Sequence, residues 1–299
     1  MTDQLQPPTL GLLHLYNSHD RLTAFESGDL ESPNTLIFIG GLGDGFCSVP
    51  YLNQLSNSLH SIGWSLIQIL LTSSYTGFGT TDLNQDVKEI QDCLKYLIRL
   101  GKNEFVLMGH STGCQDIVRL VNDQPDVLKN VIGTILQAPV SDREYILDVL
   151  GEENYQRSIK IAKELIEAGK PNQPIPLEFC EMFSGGKSTI SAHRWISLSS
   201  KLQDNPSGED FFSSDLTIED LSINLKAFNS IKTMILFSGR DESVPKEVNK
   251  NELLERLVVS CGGKVTREWS VLFEGAGHLA EEVVDEISDR VIRFIQAIS

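Results

Sequence analysis

The run Phe105-Val106-Leu107-Met108-Gly109-His110-Ser111-Thr112-Gly113 decides the reading of this chain. Apolar residues of strand character lead straight into a G-x-S-x-G pattern. Such a pattern marks a sharp turn from strand into helix, with the serine in a strained backbone conformation and its hydroxyl exposed. A side chain at either glycine position would clash in that turn, so both glycines belong to its geometry.

Working outward, short apolar strands alternate with amphipathic helical stretches, the rhythm of a mostly parallel sheet flanked by helices. Strands are predicted over residues 10–16, 22–25, 35–39, 65–71, 105–108, 131–137, 233–238 and 266–272. Tyr51, Leu52, Leu55, Leu59 and Ile62 fall at helical spacing over 50–62. Asp82 is a plausible N-cap for a helix through Val87, Ile90, Leu94, Leu97 and Ile98 that Gly101 stops. Helices are also predicted from the serine turn to about 121 and over 249–260 and 281–298. The rhythm breaks over 140–230, where a helical stretch at 153–168 sits among loops rich in Pro, Gly and Ser. The expected organisation is a core formed by 1–139 and 231–299, with 140–230 inserted as a cap over the carboxyl ends of the strands, where open α/β sheets bind ligands. An independent second domain is the alternative.

Composition limits the function. The chain has 299 residues, 40% of them hydrophobic and 22% charged, and a formal net charge of −16. That charge argues against non-specific binding to nucleic acid or to an anionic membrane. Five scattered cysteines without a C-x-x-C pair argue against a disulfide framework or a structural zinc site. Residues 1–20 show no basic stretch followed by an apolar one, and no apolar run reaches the roughly 18 residues of a membrane span. The simplest expectation is a cytoplasmic protein in a reducing compartment, needing no metal or organic cofactor.

A serine hydroxyl needs a base, a group that orients the base, and backbone donors for the developing oxyanion. Candidates exist for each role. His278, in Glu274-Gly275-Ala276-Gly277-His278, follows the last strand on a flexible loop and is the candidate base. His110 lies inside the serine turn and is expected to pack beneath it, while His193 could line a pocket. Asp241 follows the strand at 233–238 and is the candidate orienting acid, with Glu242 as its competitor. The expected oxyanion donors are the backbone N–H groups of Thr112 and Leu42, the latter in Gly40-Gly41-Leu42-Gly43-Asp44-Gly45. That loop lacks the Lys-Ser/Thr of a P-loop and the spacing of a dinucleotide fold.

Together these residues resemble the α/β-hydrolase superfamily over essentially the whole chain, which implies a mostly parallel eight-stranded sheet with a helical cap. A narrower resemblance lies in Ser73-Ser74-Tyr75-Thr76-Gly77-Phe78-Gly79-Thr80, Pro139-Val140-Ser141-Asp142-Arg143-Glu144, Phe211-Phe212-Ser213-Ser214-Asp215-Leu216 and Gly239-Arg240-Asp241-Glu242-Ser243-Val244-Pro245. These look like signatures of a branch that includes fungal siderophore esterases. The resemblance implies a Ser111–Asp241–His278 triad and a small-molecule ester substrate, of which a ferric hydroxamate siderophore is one candidate. Gly41, Tyr75, Arg143 and Trp195 are candidate substrate-binding residues; for Arg143 an ion pair with Glu144 or Asp142 is the alternative, and for Trp195 packing within the cap. A generic carboxylesterase or thioesterase and a non-catalytic small-molecule receptor are the competing functions.

Overall fold

A computed structural model describes residues 8–183 and 188–299. Eight strands form one sheet: β1 (Leu12–Asn17), β2 (Leu22–Gly28), β3 (Asn34–Ile39), β4 (Ser65–Ile69), β5 (Glu104–His110), β6 (Val131–Gln137), β7 (Lys232–Ser238) and β8 (Val271–Phe273). Their order is β1-β2-β4-β3-β5-β6-β7-β8. Strand β2 runs antiparallel to β1 and β4, and the remaining pairs are parallel. This is the mostly parallel sheet that the strand rhythm predicts and the eight-stranded α/β-hydrolase arrangement that the resemblance implies.

Helices cover both faces. One apolar core gathers Val87, Ile90 and Leu94 of α2 (Leu83–Arg99), Ile117 and Val118 of α3 (Thr112–Asp123), and Leu254 and Leu257 of α7 (Lys250–Cys261). The opposite core packs Leu55 and Leu59 of α1 (Leu52–Ser61) with Ile287, Val291 and Phe294 of α8 (Val284–Ile298). Central strands read as continuous apolar runs because both of their faces are buried. Asp82 caps α2, accepting from the N–H groups of Asn84 and Gln85.

Three elements depart from the sequence expectation. The stretch at 266–272 is a strand only over its last residues, because the N–H groups of Trp269 and Ser270 both turn back to the Thr266 carbonyl. Trp269 packs against Phe294, and Ser270 Oγ accepts the Ile235 N–H, so burial and a side-chain bond override strand propensity there. The helix expected from residue 153 begins earlier, as α4 (Asp142–Glu167), with Ser141 as its N-cap and a break at Gly151, whose φ is 69°. The last helix starts as a short tight turn at Glu281–Val283 before α8.

Between β6 and β7 lie α4, α5 (Ala192–Ser199) and α6 (Ile218–Leu225). Residues of α4 and α5 form an apolar cluster that also takes in Phe78 and packs against Leu42. This segment meets the core through charge as well. Arg194 of α5 is 1% exposed, donates Nε to the Phe78 carbonyl (3.0 Å) and pairs with Glu209. Asp86, Asp116 and Asp142 are buried in its field. Burial pushes Asp86 and Asp142 up to about 7 and Asp116 well above the usual carboxyl range, and the guanidinium only partly offsets it.

Two predictions follow from this packing. A Cβ on Gly113 would sit inside the contact shell of the Ile39 carbonyl oxygen. Gly113→Ala should therefore destabilise the fold by about 2–4 kcal/mol, read as a lower urea midpoint. A buried carboxyl with a raised pKa binds a proton in the folded chain that the unfolded chain has released, so it lowers stability as pH rises from near 4 through its folded value. Asp116→Asn removes that penalty, and its urea midpoint should exceed the parent's by more at pH 8 than at pH 5. Equal differences at the two pH values would refute this.

Candidate active site

The carboxyl ends of β3, β5, β6, β7 and β8 share one edge of the sheet, and the site is assembled from residues at or just beyond those ends. Ile39 of β3 stands opposite Gly109 of β5, and His110 opposite Gln137 of β6. This register sets the glycine turn after β3 beside the serine turn after β5.

Ser111 has φ 52° and ψ −121°, a region that strains a side-chain-bearing residue by about 1–3 kcal/mol. Its backbone is fixed from two sides. The Ser111 N–H donates to the Gln137 carbonyl at 3.0 Å, and its own carbonyl accepts from Cys114 N–H at 2.8 Å. A Cβ on Gly109 would meet the Gly113 carbonyl, which confirms the need for both glycines.

The structure brings Ser111, His278 and Asp241 together. His278 Nε2 lies 2.9 Å from Ser111 Oγ, and His278 Nδ1 lies 2.9 and 3.0 Å from the two oxygens of Asp241. Asp241 is 2% exposed and its Oδ1 also accepts the Ser243 N–H. Glu242 does not compete for the ring. It accepts the backbone N–H of His278 at 3.0 Å and so holds the loop. Arg240 braces the same loop by donating to the Gly275 carbonyl. Burial disfavours the charged form of His278, but the bond and charge of Asp241, then Glu242 and Asp44, outweigh it and hold the imidazole above its usual value.

The oxyanion candidates stand at the same place. A Cβ on Gly41 would lie 2.7 Å from Ser111 Cβ, so only glycine allows the turn to approach the serine this closely. Leu42 follows on this turn. Thr112 opens α3, where an N–H has no acceptor one helical turn earlier. Asp44 shapes the turn: its Oδ2 accepts the Gly41 N–H at 2.6 Å, and its own N–H donates to the Gly41 carbonyl.

His110 packs beneath the serine turn as expected. It is 2% exposed, its ring centroid lies 4.9 Å from that of His278, and its Nδ1 lies 2.6 Å from Gln137 Oε1. Burial, and then the neighbouring His278, push His110 down to about 4, so it is neutral at neutral pH. Sequence reasoning missed Gln137 and Asp44. Their one legible signal was a glutamine closing an otherwise apolar strand and an aspartate among glycines.

Other candidates lie elsewhere. Arg143 is buried and pairs with Asp210 (2.8 Å from Nε) and with Asp215, in place of Glu144 or Asp142. Its guanidinium is therefore engaged within the segment between β6 and β7. Trp195 is fully buried and donates its indole N–H to Ser158 Oγ, so packing explains it. Tyr75 is half exposed; its hydroxyl accepts the Phe46 N–H and its ring lies against Gly45, beside the turn that carries Gly41. His193 is exposed and lies 3.5 Å from Asp82. Among the described residues, no group of three or more His, Cys, Asp or Glu is placed to hold a metal ion, and no helix is long and apolar enough to cross a membrane.

Comparison with known proteins agrees with this architecture. The model of the family described as "Protein of unknown function (DUF1749)" matches residues 1–297. Fusarinine C esterase sidJ of Aspergillus fumigatus is 35% identical over 293 residues, spanning 82% of this chain and 81% of that protein. The solved structure of siderophore hydrolase EstB from Aspergillus fumigatus is 31% identical and superposes with a TM-score of 0.82, covering 97% of this chain and 98% of the other. A structure described as an alpha/beta hydrolase fold protein of unknown function, 17% identical with a TM-score of 0.70 over 98% and 97% of the two chains, shares the fold. The chain belongs to the DUF1749 family, and its site is carried on an α/β-hydrolase fold.

Proposed function

We propose that the protein is a serine esterase in which Ser111, His278 and Asp241 act as a catalytic triad on a hydroxamate siderophore ester. One observation carries the chemistry: the carboxyl end of the sheet holds a serine hydroxyl 2.9 Å from an imidazole whose other nitrogen faces a buried carboxylate. The relatives named as a fusarinine C esterase and a siderophore hydrolase support the substrate.

Ser111 Oγ attacks the ester carbonyl while His278 Nε2 takes its proton, and Asp241 stabilises the imidazolium through Nδ1–H. The backbone N–H groups of Leu42 and Thr112 receive the oxyanion. His278 returns the proton to the departing alcohol oxygen as the C–O bond breaks. Water, deprotonated by the same ring, then releases the acid and regenerates Ser111. Every proton that leaves a nucleophile returns to a leaving group, so no cofactor enters the balance.

Residues 140–230 act as a cap in this reading. Their apolar cluster reaches Leu42, so the segment rests on the oxyanion turn and can shape what enters beside it. Arg143 and Trp195 serve the internal structure of that cap, while Gly41 and Tyr75 border the turn next to the serine. All five cysteines are unpaired, which supports a reducing, cytoplasmic setting.

Ser111→Ala should abolish fluorophosphonate labelling and lower kcat on a ferric trihydroxamate ester by about three orders of magnitude or more. Retained turnover would reject the triad, and a marked preference for short p-nitrophenyl esters over the siderophore ester would reject the substrate. The reacting enzyme needs neutral His278, whose pKa is raised, so kcat/KM should fall as pH drops through a midpoint above about 6.5. Asp241→Asn should move that midpoint downward and lower kcat by about 10⁴-fold.

A further inference from the structure

Gln137 closes β6 and is 1% exposed, and its carbonyl and side-chain amide are engaged by residues around the site. Its carbonyl accepts the Ser111 N–H at 3.0 Å and lies 3.2 Å from Cys114 Sγ. Its side-chain Oε1 lies 2.9 Å from Tyr51 Oη and 2.6 Å from His110 Nδ1. Its Nε2 donates to the His278 carbonyl at 3.3 Å.

The orientation of this amide is fixed by chemistry. The His278 carbonyl can only accept, so Nε2 must face it and Oε1 must face the other way. Oε1 can only accept, so Tyr51 donates its O–H and His110 carries its proton on Nδ1. His110 lies beside His278 with its ring plane tilted by 50° and its Nε2 3.8 Å from Asp44 Oδ2, and burial keeps it uncharged. A charged ring there would oppose the imidazolium that His278 becomes during attack.

We propose that Gln137 is a positioning residue that ties the histidine loop to the serine turn and fixes the His110 proton on Nδ1. It acts through two backbones, fixing Ser111 with its main chain and His278 with its side chain. Tyr51, just before α1 at the end of the loop that carries Gly41, fills the remaining lone pair of Oε1 and links that loop to the same amide. The side-chain tie to the histidine loop sets how much of the time His278 Nε2 stands within reach of Ser111 Oγ.

The inference rests on the triad reading, and the test separates the two. Wild-type enzyme is first titrated with a fluorophosphonate; failure to label Ser111 defeats the triad reading itself. Gln137→Met keeps the length of the side chain and removes all its hydrogen bonds. It should lower kcat per titrated site by about 10- to 100-fold with KM within about threefold, since small misplacements at a reacting centre have effects of that size. The acid limb of kcat/KM should also move down toward the ordinary histidine value, because His278 is held less firmly on Asp241. Gln137→Asn, too short to reach the His278 carbonyl, gives the same readout if the methionine variant does not fold. A folded Gln137→Met or Gln137→Asn variant with wild-type kcat and an unmoved acid limb, in an enzyme that labels at Ser111, overturns the inference and leaves the triad standing.

Discussion

The site depends on one steric constraint, the close approach of three backbone segments around Ser111. Gly113 lies against the Ile39 carbonyl, Gly109 against the Gly113 carbonyl, and Gly41 against the serine Cβ itself. Nothing larger than hydrogen fits at these points. The register of β3, β5 and β6 follows from two buried faces of branched apolar residues, and that register drives the loops together. The strained φ of Ser111 is thus imposed by the sheet and held by hydrogen bonds to Gln137 and from Cys114.

Electrostatics is arranged around the same point. Two imidazoles lie within ring-stacking distance and are pushed in opposite directions. His278 faces Asp241 and is made more basic; His110 is deeply buried beside His278 and is made less so, although Asp44 lies 3.8 Å from its Nε2. Separating two like groups in this way leaves one imidazole suited to the proposed proton transfer and one that stays neutral. Further out, the lone Arg194 among several buried carboxyl groups joins α5 to α2, α3 and α4, so the inserted segment and the core share a buried ionisable junction.

Ser111, Asp241 and His278 were legible in the sequence because each follows a strand whose apolar pattern is local, and strand order alone brings the three loops to one edge. Gln137 was not, because its role is set by standing opposite His110 in the neighbouring strand, a relation with no local signature. For Arg143 an ion pair was legible but its partners were not, for a similar reason. Its partners lie 67 and 72 residues away, and the adjacent acids that looked like partners point elsewhere: Glu144 holds Ser214, and Gln115 donates to Asp142. The stretch 266–270 carried strand-forming residues, but Trp269 finds its burial against α8 and the chain turns before pairing begins.

On the proposed triad, the backbone angle at Ser111 sets folding and turnover against each other. A glycine there would relax the strained φ, so the most stable version of this turn is one that has lost its nucleophile. The flanking glycines answer to the fold and the serine answers only to the reaction. A lineage released from selection for hydrolysis is therefore expected to lose Ser111 while keeping Gly109 and Gly113, and its descendants would retain the architecture as inert binding proteins.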